Sequence, residues 1–320
     1  MLCSHAHGND PSCARHEAVP LHIDGFILLA ISFAARSPCL RASVAKLLLR
    51  KRALVRPAPN AIWTGMAMDD RGWDLQARWA EILLAAGFLT RLPLPAVTQE
   101  RGSLARAGWA FPVVGLIIGA VGGAVFALMD RLGLPMLASG LLAVAATMLL
   151  TGALHEDGLA DSADGFGAQD SESALAIMRD SRIGAFGVLA LVLSVGLRAS
   201  ALAGIADRAL AFQALIAAHA VSRGLLPAVM LWLDPARTDG LGAEAGRPTP
   251  PVATAAAAIA LVIALLALGF GRGVLGSLIA AAIAALVAQL ARRRLGGYTG
   301  DVLGAIQQVA EVVMLLCAAS

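Results

Sequence analysis

Runs of apolar residues near 107–129, 134–154, 184–205, 209–231, 252–270, 273–291 and 302–319 dictate what this chain can fold into. Each is close to the ~20 residues that an α-helix needs to cross a hydrocarbon layer. Lipid offers no hydrogen bonds, so such a run must satisfy its backbone internally, as a helix. Only 15% of the residues are charged and 58% are hydrophobic, whereas a soluble domain carries about a quarter charged residues. The sequence predicts an all-α polytopic membrane protein with about seven transmembrane helices. Gly115, Gly119 and Gly123 recur every four residues in the first run, a spacing that lets a neighbouring helix pack closely.

Ahead of these runs, residues 73–90 form an amphipathic segment with Trp73 and Trp79. This suits a helix lying at a membrane interface or entering it at a slant. Arg91-Leu92-Pro93-Leu94-Pro95 then makes a rigid turn. Residues 1–67 differ from the rest: eight Lys/Arg stand against three Asp/Glu, and three of the four cysteines lie there. Their apolar run, Phe26–Phe33, is too short to span a bilayer. Cys3, His5, His7, Cys13 and His16 match no common zinc spacing. This piece reads as a disordered extension or one upstream of the true start, with Met66 or Met68 beginning the transmembrane catalytic domain of residues 68–320. A net charge of +3 does not suggest a nucleic-acid partner.

Loop arginines give an orientation. If the helices alternate, Arg91, Arg101, Arg106, Arg179, Arg182, Arg237, Arg247 and Arg292 to Arg294 share one side. Only Arg131, Arg208 and Arg272 fall on the other. That bias assigns the first side to the cytoplasm.

One polar stretch, His155 to Gly187, interrupts the apolar pattern on that side. Asp157, Asp161 and Asp164 are spaced i, i+4, i+7, which puts three carboxylates on one face of a helix. Three like charges held together repel unless a cation sits among them, and an all-oxygen set suits Mg²⁺ or Mn²⁺. A solvated acidic loop is the plainer reading. Gly158, Gly165 and Gly167 favour close approach to a ligand. Arg179, Asp180, Ser181 and Arg182 follow a short helix that Ser171 can cap, and arginines beside a metal suit phosphate. For His155 two readings stand, a general base or a helix-end histidine facing the negative end of a dipole. Glu156 either assists at the metal or is solvated. Arg223, near the middle of its run, is costly there and needs a partner or a polar cavity. Glu311, Gln307 and Gln308 are available to it and to Arg198. Gly296-Gly297-Tyr298-Thr299-Gly300-Asp301 opens the last helix, with Asp301 either its N-cap or part of an anion site.

Three motifs, in order, carry a resemblance: H-E-D-G-L-A-D-S-A-D-G, M-R-D-S-R-I-G-A-F-G and G-G-Y-T-G-D-V-L-G-A-I-Q-Q-V-A-E. With the T-R-L-P-L-P segment, they make the chain from about Trp73 onward resemble the cobalamin synthase family, the adenosylcobinamide-GDP ribazoletransferases. Arg179 stands where that family leads one to expect lysine, a change that keeps the charge. The resemblance implies a multi-pass enzyme of the bacterial inner membrane with its active site facing the cytoplasm. It implies transfer of the cobinamide-phosphate moiety of adenosylcobinamide-GDP to α-ribazole or its 5′-phosphate, with release of GMP and a need for Mg²⁺.

On that chemistry Asp157, Asp161 and Asp164 would hold Mg²⁺. Arg179 and Arg182 would bind phosphate oxygens, and His155 or an aspartate would take the hydroxyl proton. Asp180, Ser181, Arg223, Gly297, Thr299 and Asp301 would bind substrate. Membrane lipids, a second copy of the chain or other late-pathway enzymes are the expected partners. A CDP-alcohol phosphotransferase that makes phospholipid is the alternative. An ion-coupled transporter ranks behind it, because its acids belong at mid-membrane and no internal repeat is evident. Prenyl transfer would want D-D-x-x-D, which is absent.

Overall fold

The structure is a computed structural model that describes residues 75–95 and 103–320. The expected boundary at 67/68, the cysteine–histidine group before it and Arg101 lie outside the described residues. Among the described residues every element is a helix, as the hydropathy pattern predicts. They are α1 (Leu75–Leu89), α2 (Ser103–Arg106), a 3-10 turn (Ala107–Ala110), α3 (Phe111–Arg131), α4 (Met136–Thr151), α5 (Leu154–Phe166) and α6 (Ser171–Ile177). Then follow α7 (Ala185–Gly204), α8 (Arg208–Gly224), α9 (Leu226–Trp232), α10 (Leu241–Glu244), α11 (Pro250–Leu295) and α12 (Gly300–Ala319).

Among the described residues five helical stretches are long and apolar enough to cross a membrane, α2 with α3 (Ser103–Arg131), α7, α8 with α9 (Arg208–Trp232), α11 and α12, and six if α4 and α5 count as one bent span. The sequence expectation of about seven differs because two expected runs share α11. A straight helix of 46 residues would be about 69 Å long, twice a hydrocarbon layer. Gly269 breaks it, with φ 73° and ψ 177°. A Cβ on Gly273 would lie 2.8 Å from the Ala264 carbonyl oxygen, nine residues back. The chain therefore doubles back on itself at Gly269. Small residues line the buried face of both arms, Ala256, Ala260 and Ala264 before the break and Gly276, Ala280 and Ala284 after it.

Many large apolar side chains face outward. On α7, Phe186, Leu189, Val192 and Leu193 are each about 60% exposed. A soluble monomer rarely shows such a stripe; on a membrane helix it is the lipid-facing side. Buried contacts use small residues instead. Gly115 and Gly119 of α3 lie against the carbonyls of His219 and Leu215 on α8, leaving no room for a Cβ. That is the close packing their spacing predicts.

Helix α12 is the hub. It contacts α5, α7, α8 and α11, and its buried face carries Gln307, Gln308 and Glu311. The expected arginine partners are present: Arg198 Nη1 donates to Glu311 at 3.0 Å, and Arg223 Nη1 donates to its other oxygen at 3.2 Å. Glu156 joins them, accepting from Arg198 and Gln308 at 3.2 and 3.0 Å.

Candidate active site

The polar stretch is built on a sharp corner. Helix α4 ends in a Schellman motif, with Gly152 at φ 67° and the Ala153 amide donating to Met148. Ala153 itself is left-handed at φ 55°, a conformation that costs a non-glycine residue about 1–2 kcal/mol. The corner turns α5 by 95° from α4. His155 thus lies in the first turn of α5 rather than at the end of the preceding span. The negative end of α4's dipole is not its partner, which removes the dipole reading.

Asp157, Asp161 and Asp164 do share a helix, as their spacing predicts. Asp157 is exposed, while Asp161 and Asp164 are half-buried. Helix α5 reaches α12 through two glycines. A Cβ on Gly158 would lie 2.8 Å from the Asp301 carbonyl oxygen, and Gly304 rests on the His155 carbonyl. This crossing brings Asp157, Asp164 and Asp301 within electrostatic reach of Asp161. The glycines of the motif therefore serve packing rather than ligand approach. Gly165 lies against Met178 and Gly167 against Phe186.

Asp164 is committed. Its two oxygens accept the amides of Gly184 at 2.6 Å and Gly187 at 2.9 Å. These amides open α7, so Asp164 acts as a cap supplied from another helix. Read from sequence as a metal ligand, it also ties α7 to α5.

Around this acidic centre the arginines are shared out in pairs. Arg179 Nη2 donates to Asp239 at 2.9 Å, and Arg182 pairs with Asp180. Hydrogen bonds from the Arg182 side chain and amide hold the Asp180 carboxyl below its usual range. Arg179, Ser181 and Arg182 are exposed. Asp301 accepts from Thr299 Oγ1 at 3.1 Å and from Arg237 at 3.4 Å. Thr299, not Asp301, caps α12, accepting the Val302 amide at 3.2 Å. Likewise Asp170, not Ser171, caps α6. Gly297 lies against Asp234 and Ala236, where a Cβ would clash with backbone. Backbone bonds of 2.8 and 3.0 Å pair Tyr298 with Ala236 and Asp234. That pairing by itself requires glycine at 297.

Arg223 lies apart from this centre. It is 1% exposed and bonded to His219, Ser222 and Glu311. The structure makes it part of a buried ionic network rather than a substrate contact.

Arg237 is the residue that sequence reasoning overlooked, counting it only as a topology signal. With His155, Asp157 and Asp301 it forms the polar edge of a cavity of about 320 Å³. His155 is 3% exposed, and its Nδ1 has no hydrogen-bond partner. The one available sign was its place in a loop, Arg237-Thr238-Asp239-Gly240, flanked by polar and glycine residues. The three segments that the arginine count put on one side do meet here: Asp239 with Arg179, Arg237 with Asp301, and Pro235 with Tyr298.

Could these acids hold a divalent ion? Among the described residues no three acids or histidines converge tightly enough to enclose one by themselves. Mg²⁺ asks for less: it is commonly held by one or two carboxylates, with waters and substrate phosphates completing the shell. Asp157 and Asp161, close to Asp301, fit that requirement, while Asp164 also holds two backbone amides.

Comparison with known proteins finds relatives over most of the chain. The family model for cobalamin-5-phosphate synthase matches residues 81–319. A protein of Bradyrhizobium diazoefficiens named adenosylcobinamide-GDP ribazoletransferase is 48% identical over 243 residues, which are 75% of this chain and 94% of that protein. One of Mesorhizobium japonicum with the same name is 46% identical over 239 residues, 74% of this chain and 92% of its own. No solved structure matches.

Proposed function

This chain belongs to the cobalamin-5-phosphate synthase family, and on that premise we propose how its acidic corner performs the transfer its relatives are named for. It is a membrane-embedded transferase that acts on adenosylcobinamide-GDP and ribazole, not a phospholipid synthase. The single observation behind the site assignment is charge imbalance: Asp157, Asp164 and Asp301 gather around Asp161 with Arg237 beside them, and Asp157, Asp301 and Arg237 line the cavity.

In the reaction, a ribazole hydroxyl oxygen bonds to the phosphorus carried by the cobinamide. The bond from that phosphorus to the GMP oxygen breaks, and GMP leaves with the electron pair. Phosphoryl transfer of this kind depends mostly on positioning and on neutralising the non-bridging oxygens. Asp157 and Asp161 would hold Mg²⁺. When bound, the ion supplies positive charge to the diphosphate. Arg237 neutralises a further oxygen from the same polar edge, oriented by Asp301, which Thr299 holds in turn. His155, which lines the cavity and has an unpartnered Nδ1, accepts the hydroxyl proton. Asp164 keeps α5 and α7 in register, and through α7 keeps Arg179 and Arg182 near the mouth, where they draw in the anionic donor. The one-sided arginine distribution supports a site facing the cytoplasm across the inner membrane.

The test is direct. The full chain, purified in detergent and given adenosylcobinamide-GDP, α-ribazole phosphate and Mg²⁺, releases GMP and forms the joined product. EDTA stops the release and added Mg²⁺ restores it. Equal turnover in EDTA would remove the metal from this account.

A further inference from the structure

The apolar half of the cavity takes no part in the charge chemistry above. Its wall is made by Phe88 and Leu89 at the end of α1, Leu104 and Phe111 before and at the start of α3, and Leu226 and Met230 on α9. The rings of Phe88 and Phe111 lie nearly parallel, 16° apart with centroids at 6.5 Å. The polar part of the lining is His155, Asp157, Arg237 and Asp301. Such a cavity accepts a small, flat molecule with one apolar end and one hydroxylated end.

We propose that this cavity is the acceptor subsite, and that it takes the benzimidazole base of ribazole against the apolar wall, with the ribose at the polar edge. The inference rests on the transferase reading but adds to it which of the two substrates this cavity holds and in which direction. Size decides first. About 320 Å³ is at the lower limit of ligand pockets, enough for one nucleoside and far too little for a corrin ring. Polarity decides next. A guanine would bring its carbonyl, amide and amino groups against Phe88, Leu104, Phe111 and Met230, none of which offers a side-chain hydrogen bond. Each such group buried without a partner costs about 1–3 kcal/mol. The far edge of dimethylbenzimidazole carries only carbon and meets no such penalty. Orientation follows from this. With the base on the apolar wall, the ribose hydroxyls lie at His155 and Asp157, and the donor's diphosphate has to approach from the side of Asp161. GDP and the corrin stay outside the cavity.

Equilibrium dialysis of α-ribazole against the full chain in detergent, without any donor, tests this. Saturable binding is expected, at least tenfold tighter than for the matching purine riboside, whose ring edge is polar. Leu104→Trp, a half-buried lining position, should weaken ribazole binding at least tenfold and leave the KM for adenosylcobinamide-GDP within twofold. Two results would overturn the assignment: a purine riboside that binds as tightly as ribazole to the unsubstituted chain, or a Leu104→Trp effect on the donor's KM instead. The first comparison needs no substitution, so it stands even if the variant fails to fold. If ribazole binds as expected but the complete mixture releases no GMP, the cavity assignment survives and the transferase reading fails.

Discussion

Two regions of this molecule hold carboxylates and arginines in close quarters, and they treat charge in opposite ways. Between α5, α7, α8 and α12, Glu156 and Glu311 face Arg198 and Arg223, one guanidinium for each carboxylate. Gln307, Gln308, Ser194 and Ser222 bond to the acids, to one another or to the arginines. Every member is 5% exposed or less. Farther along α5, Asp157, Asp164 and Asp301 all bear on Asp161, and among the described residues Arg237 is the arginine seen to counter them, paired with Asp301. A fold surrounded by lipid must neutralise what it buries. An acidic surplus left at the edge of a cavity awaits positive charge from elsewhere. Balance marks the first region as architecture, and imbalance marks the second as the place of chemistry. His155 stands between them, within electrostatic reach of Arg223 and Glu311 while lining the cavity.

If that contrast is right, the same loss of a carboxylate breaks the fold in one region and the reaction in the other. Glu311→Ala leaves the buried Arg223 without a carboxylate partner and Arg198 with Glu156 alone, and should cost about 3–5 kcal/mol of stability. It should appear as a large fall in the thermal midpoint and in the folded fraction on size-exclusion chromatography. A variant of normal stability would break the comparison. Asp161→Asn should do the reverse. Turnover falls by about a thousandfold, equivalent to about 4 kcal/mol of barrier, while the thermal midpoint holds or rises because a repelling charge is gone. Wild-type rates of GMP release in Asp161→Asn would show that the acidic surplus is not catalytic.

The contact that places the two regions side by side gives a smaller, mixed effect. Gly158→Val puts a side chain where Gly304 Cα and the Asp301 carbonyl oxygen lie within 3.2 Å of a Cβ. Overpacking of this kind costs about 1–3 kcal/mol. It should lower stability and turnover together, as α5 lifts from α12 and Asp161 parts from Asp301. A fall in stability with full turnover would mean that Asp301 is dispensable. Smallest of all is Arg179→Ala. Its ion pair with Asp239 is more than half exposed on both sides, so the midpoint should not move. The KM for adenosylcobinamide-GDP should rise a few-fold, and more at low ionic strength than at high. No change in KM at any salt would limit Arg179 to a topological role.

The helical spans were legible in the sequence because hydropathy is additive along the chain and lipid leaves the backbone no alternative. So was the acidic helix: three aspartates at i, i+4 and i+7 share a face whatever else surrounds them. The pairing of Arg198 and Arg223 with Glu311 was also within reach, since each is costly alone in a membrane. Roles that depend on partners far along the chain were not. Asp164 reads as one more carboxylate of the set until α7 presents the amides of Gly184 and Gly187 to it. Gly158 reads as room for a ligand until Gly304 arrives. Arg237 reads as a loop charge until Asp301, 64 residues away, meets it.

The sequence by itself determined which segments enter the membrane, that they are helices, and that one cluster of acids requires a counter-charge. These follow from solvation and from the geometry of a single helix. Only the tertiary structure decided which acid is spent as a cap, which pair of arginines is locked in the interior, and which arginine faces the cavity. Those roles are set by where helices cross. Crossing points depend on the close approach of small residues from two distant segments, which no local pattern records.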